Sequence, residues 1–326
     1  MKAKVLRIIR ERMGIVTMQE LCRECGVSKE VILRVIRQLI EDGYDIELEP
    51  GRGYYLNSYP ETISSCELMS RVNTEWAGRR VYYHEETGST NEDAKYLAEE
   101  GMEHGSLVTA QSQTEGKGRR GRNWTSFKGK NIYMSMILRP DFPVNIASML
   151  TLVMAVSVAE TLNQLYELEV KIKWPNDVLI NGKKVCGILT ELCNYPDGTY
   201  SVVIGVGVNV NQKEFPEEIA DMATSVLLEK GDGCSRSDII LGIMEYFEYY
   251  YGLFADSKDL SCLVDLYDGY LINKNRQVRV LDPAGEYEGT AKGINDRGEL
   301  IVELEDKRIT TVYSGEVSVR GIYGYV

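Results

Sequence analysis

The sequence predicts an α+β protein in three parts: an N-terminal winged helix-turn-helix, a central mixed β-sheet with helices, and a small C-terminal SH3-like β-barrel. Three observations predict this. Apolar residues recur at helical spacing through the first 41 residues, strand-like runs dominate from Val81 to Val210, and five short strand-like runs follow Gln277. At 326 residues the chain exceeds one typical domain, and the expected divisions are 1–60, 61–272 and 273–326.

The 44% hydrophobic and 26% charged fractions are those of a globular protein. No apolar run approaches the roughly 20 residues of a membrane span, and Met1 to Met13 lacks the apolar core of a signal peptide. The expectation is a cytoplasmic protein with no membrane partner. Seven scattered cysteines, an odd number, make no disulfide framework and suit a reducing compartment. Cys22 and Cys25 form a C-x-x-C, but no second pair or nearby His completes a zinc site, so they read as two small apolar positions on one helix.

Residues 1–58 hold ten Lys/Arg and nine Asp/Glu, a net +1 in a chain of formal charge −12, which sets this segment apart. Val5, Leu6, Ile8, Ile9 and Met13 make a first helix. Thr17 to Glu20 is a capping box for a short second helix, broken by Gly26. Ser28 caps a third helix, Lys29 to Glu41, with a stripe of Val31, Ile32, Val35, Ile36, Leu39 and Ile40. Tyr44 to Leu56 reads as a two-stranded wing around Pro50 to Gly53. Lys29, Arg34 and Arg37 point away from the stripe and Arg52 sits at the wing tip, positions from which a winged helix contacts DNA. A solvated face on a protein-interaction module is the other reading, since +1 is a weak footprint and Glu30 stands among these residues. Asn57 to Glu67, polar and Ser-rich with Pro60, reads as a linker.

In the central part, Val81 to His84 is a strand, and Gly88 to Asn91 turns into a helix from about Asn91 to Glu100, with Thr90 and Asp93 as a capping pair. Ser106 to Gln111 and Ile132 to Leu138 are strands. Ala147 to Leu168 is a long amphipathic helix. Val178 to Ile180 and Lys184 to Leu192 flank Asn181-Gly182, a strong hairpin signal. Ser201 to Val210 is a further strand, in which Gly205 and Gly207 mark close approach of backbone or ligand. Helices are expected on one face of this sheet.

Between two of these strands lies Gln113 to Trp124, QTEGKGRRGRNW, with four cations and three glycines within the seven residues Gly116 to Arg122. Gly116, Gly118 and Gly121 match the spacing of a dinucleotide fingerprint. That motif must open a helix, which Asn123 to Gly129 does not do. A phosphate loop would need Lys and Ser/Thr where Arg122 and Asn123 stand. A basic patch would explain the arginines but neither the glycine interleaving nor Trp124. Glycines let backbone N–H groups converge on phosphate oxygens, guanidinium forks add bidentate contacts, and an indole covers a purine. The loop suits a phosphate ester held beside a carboxylate.

Ser89-Thr90-Asn91, Gln113 with GKGRRGRNW, KWPND (Lys173 to Asp177), KKVCGILTE (Lys183 to Glu191) and GVGVNVN (Gly205 to Asn211) resemble, in order and spacing, the biotin-protein ligase family. With the winged helix, the resemblance is to its bacterial branch that joins a biotin ligase to a biotin-operon repressor. It covers nearly the whole chain, and GKGRRGR-x-W with KWPND is highly specific. The resemblance implies a central fold of class II aminoacyl-tRNA synthetase and biotin ligase type. It also implies biotin, ATP and Mg2+ as substrates and cofactor, and biotin carboxyl carrier protein, operator DNA and a second copy of the chain when adenylate-bound as partners.

Position by position, the resemblance implies that Ser89, Thr90, Asn91 and Gln113 line the biotin site. Gly116, Lys117, Gly118 and Arg119 would form the loop over biotin and its mixed anhydride, Arg119 limiting premature release. Arg122, Trp124, Asn176 and Asn209 would lie near phosphates and adenine. Asp177 would support the metal or loop, and Lys184, rather than Lys183, would be the cation at the reacting carboxyl. Lys117 stands where the family more often has arginine, which keeps the charge but not the planar fork. Asp221 to Leu228 resembles the family's ATS stretch, Arg236 to Phe254 reads as a helix with clustered tyrosines, and the chain ends in an aromatic tail. Three functional readings stand: a ligase that is also a repressor, a ligase with a nonregulatory winged helix, and a transcription factor sensing a small anion. Lipoate ligation is the nearest enzymatic rival.

Overall fold

The computed structural model describes residues 1–12, 14–282, 285–313 and 318–321. Met13 of the expected first helix, Pro283 and Ala284, and the aromatic tail from Ile322 lie outside the described residues. Two compact units divide the chain, Met1–Asn73 and Thr74–Val326.

The first unit contains α1 (Lys2–Glu11), α2 (Met18–Cys25), α3 (Lys29–Glu41), β1 (Asp45–Glu49), β2 (Gly53–Ser58) and α4 (Ser65–Arg71). The capping box forms: Glu20 N–H donates to Thr17 Oγ1 at 3.2 Å and Thr17 N–H donates to Glu20 Oε2 at 2.9 Å. Gly26, at φ 70°, ends α2 in the left-handed conformation. Leu6, Ile9, Leu21, Ile32, Val35, Ile36 and Leu39 meet in one core, and Cys22 and Cys25 pack against it. β1 and β2 pair antiparallel as the expected wing.

The expected linker holds structure instead. Ser64 accepts the Glu67 N–H at the start of α4, and the fully buried Glu67 carboxylate takes Arg10 at 2.7 Å, Arg71 at 3.2 Å and the Tyr44 hydroxyl at 2.9 Å. A serine that looks like loop composition is a cap here, and a buried carboxylate survives because three donors satisfy it. The unit therefore runs past the expected boundary at residue 60.

The second unit is built on a seven-stranded sheet of β3 (Val81–His84), β4 (Leu107–Ala110), β5 (Ile132–Leu138), β6 (Val170–Lys173), β7 (Asp177–Ile180), β8 (Lys183–Asn194) and β9 (Tyr200–Val208), in the order β3-β4-β5-β9-β8-β7-β6. The β3–β4 pair is parallel and the other pairs are antiparallel, a mixed sheet. Asn181 and Gly182, at φ 50° and 75°, make the tight β7–β8 turn.

Helices cover both faces, not one. On the first, α5 (Thr90–Glu99) lays Ala94 and Ala98 against Val108, Ile137 and Val203. On the second, α6 (Leu150–Tyr166) follows a 3₁₀ turn, Val144–Met149, and Thr151 Oγ1 donates to Thr190 Oγ1 at 2.7 Å. Thr190 neighbours Glu191, which sits opposite Val203, and alternation along a strand puts neighbours on opposite faces. Val144–Tyr166 is long and apolar enough to cross a membrane, against the expectation from runs of sequence. It is a core helix, packed on α9 (Arg236–Ser257) and on the sheet. The short α7 (Glu217–Ala220) and α8 (Val226–Lys230) precede α9, and α10 (Val264–Tyr270) follows it.

The C-terminal module is an antiparallel sheet of β10 (Gln277–Leu281), β11 (Tyr287–Ile294), β12 (Leu300–Glu303), β13 (Ile309–Val312) and β14 (Ser318–Gly321), in the order β13-β12-β11-β10-β14. This is consistent with an SH3-like domain. Among the described residues β13 and β14 are edges, and no strand pairing closes the expected barrel. Its turn at Asn295 to Gly298 reaches back to the central fold, where the buried Trp174 indole donates to Gly298 O at 3.0 Å.

Candidate active site

The site starts from glycines. β8 and β9 set Gly187 opposite Gly207, and β5 sets Ser135 opposite Gly205 and Tyr133 opposite Gly207, so all of these share one face. Ile204, Val206 and Val208 alternate to the other face and are buried there. A Cβ at Gly205 would collide with the Asn91 amide, one at Gly207 would stand 2.6 Å from Trp124 Cε2, and one at Gly187 would stand 2.8 Å from Trp124 Cζ3 and 3.0 Å from Lys184 Nζ. The alternating glycines form a floor on which Asn91, Trp124 and Lys184 rest.

One wall is the start of α5. The expected Thr90–Asp93 capping pair does not form. Ser89 stands at the N-cap with no side-chain cap bond, Thr87 donates to Asp93 at 2.5 Å, and Thr90 turns inward. Thr90 N–H and Oγ1 donate to Gln113 Oε1 at 2.9 and 3.1 Å, and Ser135 Oγ donates to Asn91 Oδ1 at 2.6 Å and lies 2.8 Å from Thr90 Oγ1. Ser89, Thr90, Asn91 and Gln113, with Lys117, Gly118 and Arg119, line an inner cavity of about 50 Å³.

The glycine-arginine loop folds back on itself over that cavity. Trp124 N–H donates to Gly116 O at 2.8 Å and Gly118 N–H to Arg122 O at 2.7 Å. A Cβ at Gly116 would stand 2.5 Å from Trp124 O, so the hairpin needs glycine there. Arg119 Nη1 reaches Asn176 Oδ1 at 2.9 Å. Burial pulls the Arg119 guanidinium below its ordinary value, the Asp177 carboxylate opposes this, and Arg120 and Arg122 add to it. It remains a cation.

The other wall comes from KWPND. Asn176 Nδ2 donates to Ile188 O at 3.2 Å and to Asp177 Oδ1 at 3.1 Å, which fixes its amide. Asp177 pairs with Lys184 at 2.6 Å, and Lys184 Nζ lies 5.4 Å from the Trp124 ring centre. Lys183 is exposed, so Lys184 is the lysine in the cleft. Arg122, Trp124, Asn176, Asp177, Lys184 and Asn209 line an outer cleft of about 760 Å³ continuous with these residues. The Trp124 indole nitrogen is buried with no hydrogen-bond partner, a donor held ready beside the cleft.

Of the central residues singled out from the sequence, all but Gly116 line one of the two cavities, and Gly116 closes the base of the hairpin through Trp124. Sequence reasoning missed Ser135, the one small polar side chain in an otherwise apolar and aromatic strand, which was its only signal. It also missed Phe215, Ile219 and Met222 at the outer cleft, which no local pattern marks. In the N-terminal unit, Lys29, Arg34 and Arg37 are exposed on α3 opposite the buried Ile32, Val35, Ile36 and Leu39. Arg52 is exposed at the wing turn, where it pairs with Glu49 at 2.6 Å.

Fold and site define a ligand-binding catalytic unit of mixed-sheet type carrying a winged helix and an SH3-like module. Residues 83–209 match the Biotin/lipoate A/B protein ligase family, 275–320 the Biotin protein ligase C terminal domain, and 2–55 an HTH domain. The chain is 35% identical over 303 residues to the bifunctional ligase/repressor BirA of Bacillus subtilis, covering 92% of this chain and 93% of that one. It is 28% identical to the BirA of Escherichia coli over 93% of this chain and 92% of that one. Among solved structures, the Aquifex aeolicus biotin protein ligase in complex with biotin and ATP superposes with a TM-score of 0.67 at 31% identity, over 74% of this chain and 99% of that one. The chain belongs to the biotin-protein ligase family, in its branch of bifunctional ligase/repressors.

Proposed function

We propose that the protein joins biotin to ATP, giving biotinyl-5'-AMP and pyrophosphate, and then transfers biotin to a lysine of the biotin carboxyl carrier protein of acetyl-CoA carboxylase. The observation that carries this is the cationic hairpin lying over the glycine floor, with an unpartnered buried indole donor beneath it. The seven free cysteines agree with a cytoplasmic enzyme.

In the first step the biotin carboxylate oxygen bonds the α-phosphorus as the bond to the bridging oxygen of the β-phosphate breaks and pyrophosphate leaves. Bringing two unit anions to about 4 Å costs roughly 4 kcal/mol at an effective dielectric near 20. Arg119, Arg122 and Lys184 are the cations available to offset it. In the second step the carrier lysine amine attacks the acyl carbon and AMP leaves.

On this reading Ser89, Thr90, Asn91 and Gln113 hold the biotin head with the loop from Gly116 to Arg119. Arg119 retains the adenylate, Lys184 faces the reacting carboxyl, and Arg122, Trp124, Asn176 and Asn209 take phosphates and adenine. Asp177 is the one carboxylate among the described residues lining the outer cleft, and one carboxylate plus substrate phosphates is a donor set Mg2+ commonly takes. Asp177 and Asn176 would hold the ion, which when bound neutralises phosphate charge.

The winged helix supports biotin-responsive repression by an adenylate-bound homodimer, with Lys29, Arg34, Arg37 and Arg52 at operator DNA. A ligase with a nonregulatory winged helix is favoured only by the weak +1 charge and by the Glu49–Arg52 pair, which occupies the wing cation. Incubation with biotin, ATP, Mg2+ and an apo carrier domain should label one carrier lysine, and absence of label would sink the ligase reading. Operator affinity measured with and without biotin separates the two roles of the winged helix, since repression requires an effector-dependent affinity.

A further inference from the structure

The loop over the cavity is a hairpin paired on itself across Lys117 and Asn123. Such a segment moves as a unit, so its position depends on what its flanks grip. One flank is the Arg119–Asn176 bond. On the other, Lys117 Nζ meets Glu92 Oε1 at 2.8 Å in the first turn of α5. The same Glu92 oxygen lies 3.1 Å from Lys95 Nζ, and Lys95 is 2.6 Å from Glu191 Oε1. The other oxygen of Glu191 accepts Asn91 Nδ2 at 2.7 Å, and Asn91 is fixed at the cavity floor by Ser135. An unbroken chain of polar contacts runs from the loop to the floor.

We infer that Glu92 is a positioning residue for the ligase reaction, a latch that holds the loop over the cavity through Lys117 and, through Lys95 and Glu191, ties closure to the orientation of Asn91. The inference rests on the ligase reading. Glu92 does not line the cavity, so it acts through Lys117 and not on substrate. An ammonium suits this contact, since a point charge can share one carboxylate oxygen with a second lysine, whereas a guanidinium fork favours both oxygens. Lys117 first and Lys95 second hold the Glu92 carboxyl below the usual range, so it is charged at neutral pH. Both side chains of the Lys117–Glu92 pair are about half exposed, at 48% and 46%, which keeps the latch weak and reversible.

A double-mutant cycle on the full chain with Glu92→Gln and Lys117→Met tests it. Each single variant should raise KM for biotin and escape of free adenylate about three- to fivefold, the size a half-exposed pair supplies. The double variant should be no worse than the worse single one, and added salt should raise KM in the parent but not in Glu92→Gln. Multiplicative single effects, or a Glu92→Gln protein that matches the parent, would overturn the latch. Trypsin supplies an independent arm, because Glu92→Gln leaves every loop cleavage site in place and should be cut there faster than the parent. Equal cutting rates overturn the latch, whereas a parent that is protected yet labels no carrier sinks the ligase reading alone.

Discussion

Trp124 rests its indole against Gly207 so closely that a Cβ there would stand 2.6 Å from Cε2. The contact ties the loop to the strand at the point where inner cavity and outer cleft meet. Gly207→Ala should therefore displace the indole and lower kcat/KM for ATP about tenfold or more, the scale of an overpacked contact. Gly205→Ala displaces Asn91 instead and should act on KM for biotin. Steady-state kinetics with each substrate varied separately checks the contrast.

Arg119→Gly removes the guanidinium that reaches Asn176 across the cavity. The expected outcome is leakage of reactive adenylate and biotinylation of bystander proteins. A streptavidin blot of a protein mixture incubated with biotin and ATP reads it, and unchanged selectivity would refute the retaining role.

Trp174→Phe removes the donor to Gly298 O and leaves that carbonyl unsatisfied. The expected loss is about 1–3 kcal/mol of stability, the cost of a stranded buried acceptor. Urea unfolding of the two proteins side by side measures it.

Glu67→Gln keeps the shape of a fully buried side chain but removes the charge that satisfies Arg10 and Arg71. A loss of roughly 3 kcal/mol is expected for a broken buried pair. Because no tryptophan lies in residues 1–73, the loss is best read by hydrogen exchange, with faster exchange confined to that unit.

Burial holds the His104 imidazole below its ordinary 6.5, and the N–H that Arg139 donates to Nδ1 at 3.0 Å needs that nitrogen unprotonated. The unfolded chain therefore takes up the proton first as pH falls. The stability due to neutral His104 is complete above about pH 6.5 and is lost as pH drops through the lower folded value. Melting temperature should fall between roughly pH 7.5 and roughly pH 5, and a His104→Gln variant should show a shallower fall in parallel melts.

Much of the fold was legible because its signals are local. The capping box at Thr17, the Asn181-Gly182 hairpin, the strand Ile132–Leu138 and the alternation of Gly205 and Gly207 follow from backbone geometry over a few residues. The candidate residues were named from motif spacing, and all but Gly116 line one of the two cavities. Local composition misled where a partner lay far along the chain. Thr90 looked like a cap for Asp93 but bonds Gln113, and Ser64 to Glu67 looked like a linker but answers Arg10.

The sequence by itself determined the three-part organisation, the family resemblance and the cationic glycine loop, since periodicity and spacing are properties of neighbours along the chain. Only the tertiary structure decided that helices cover both faces of the sheet, that Ser135 reaches Asn91, and that Lys117 grips Glu92. These depend on strand order and register, which bring residues far apart in sequence within bonding distance.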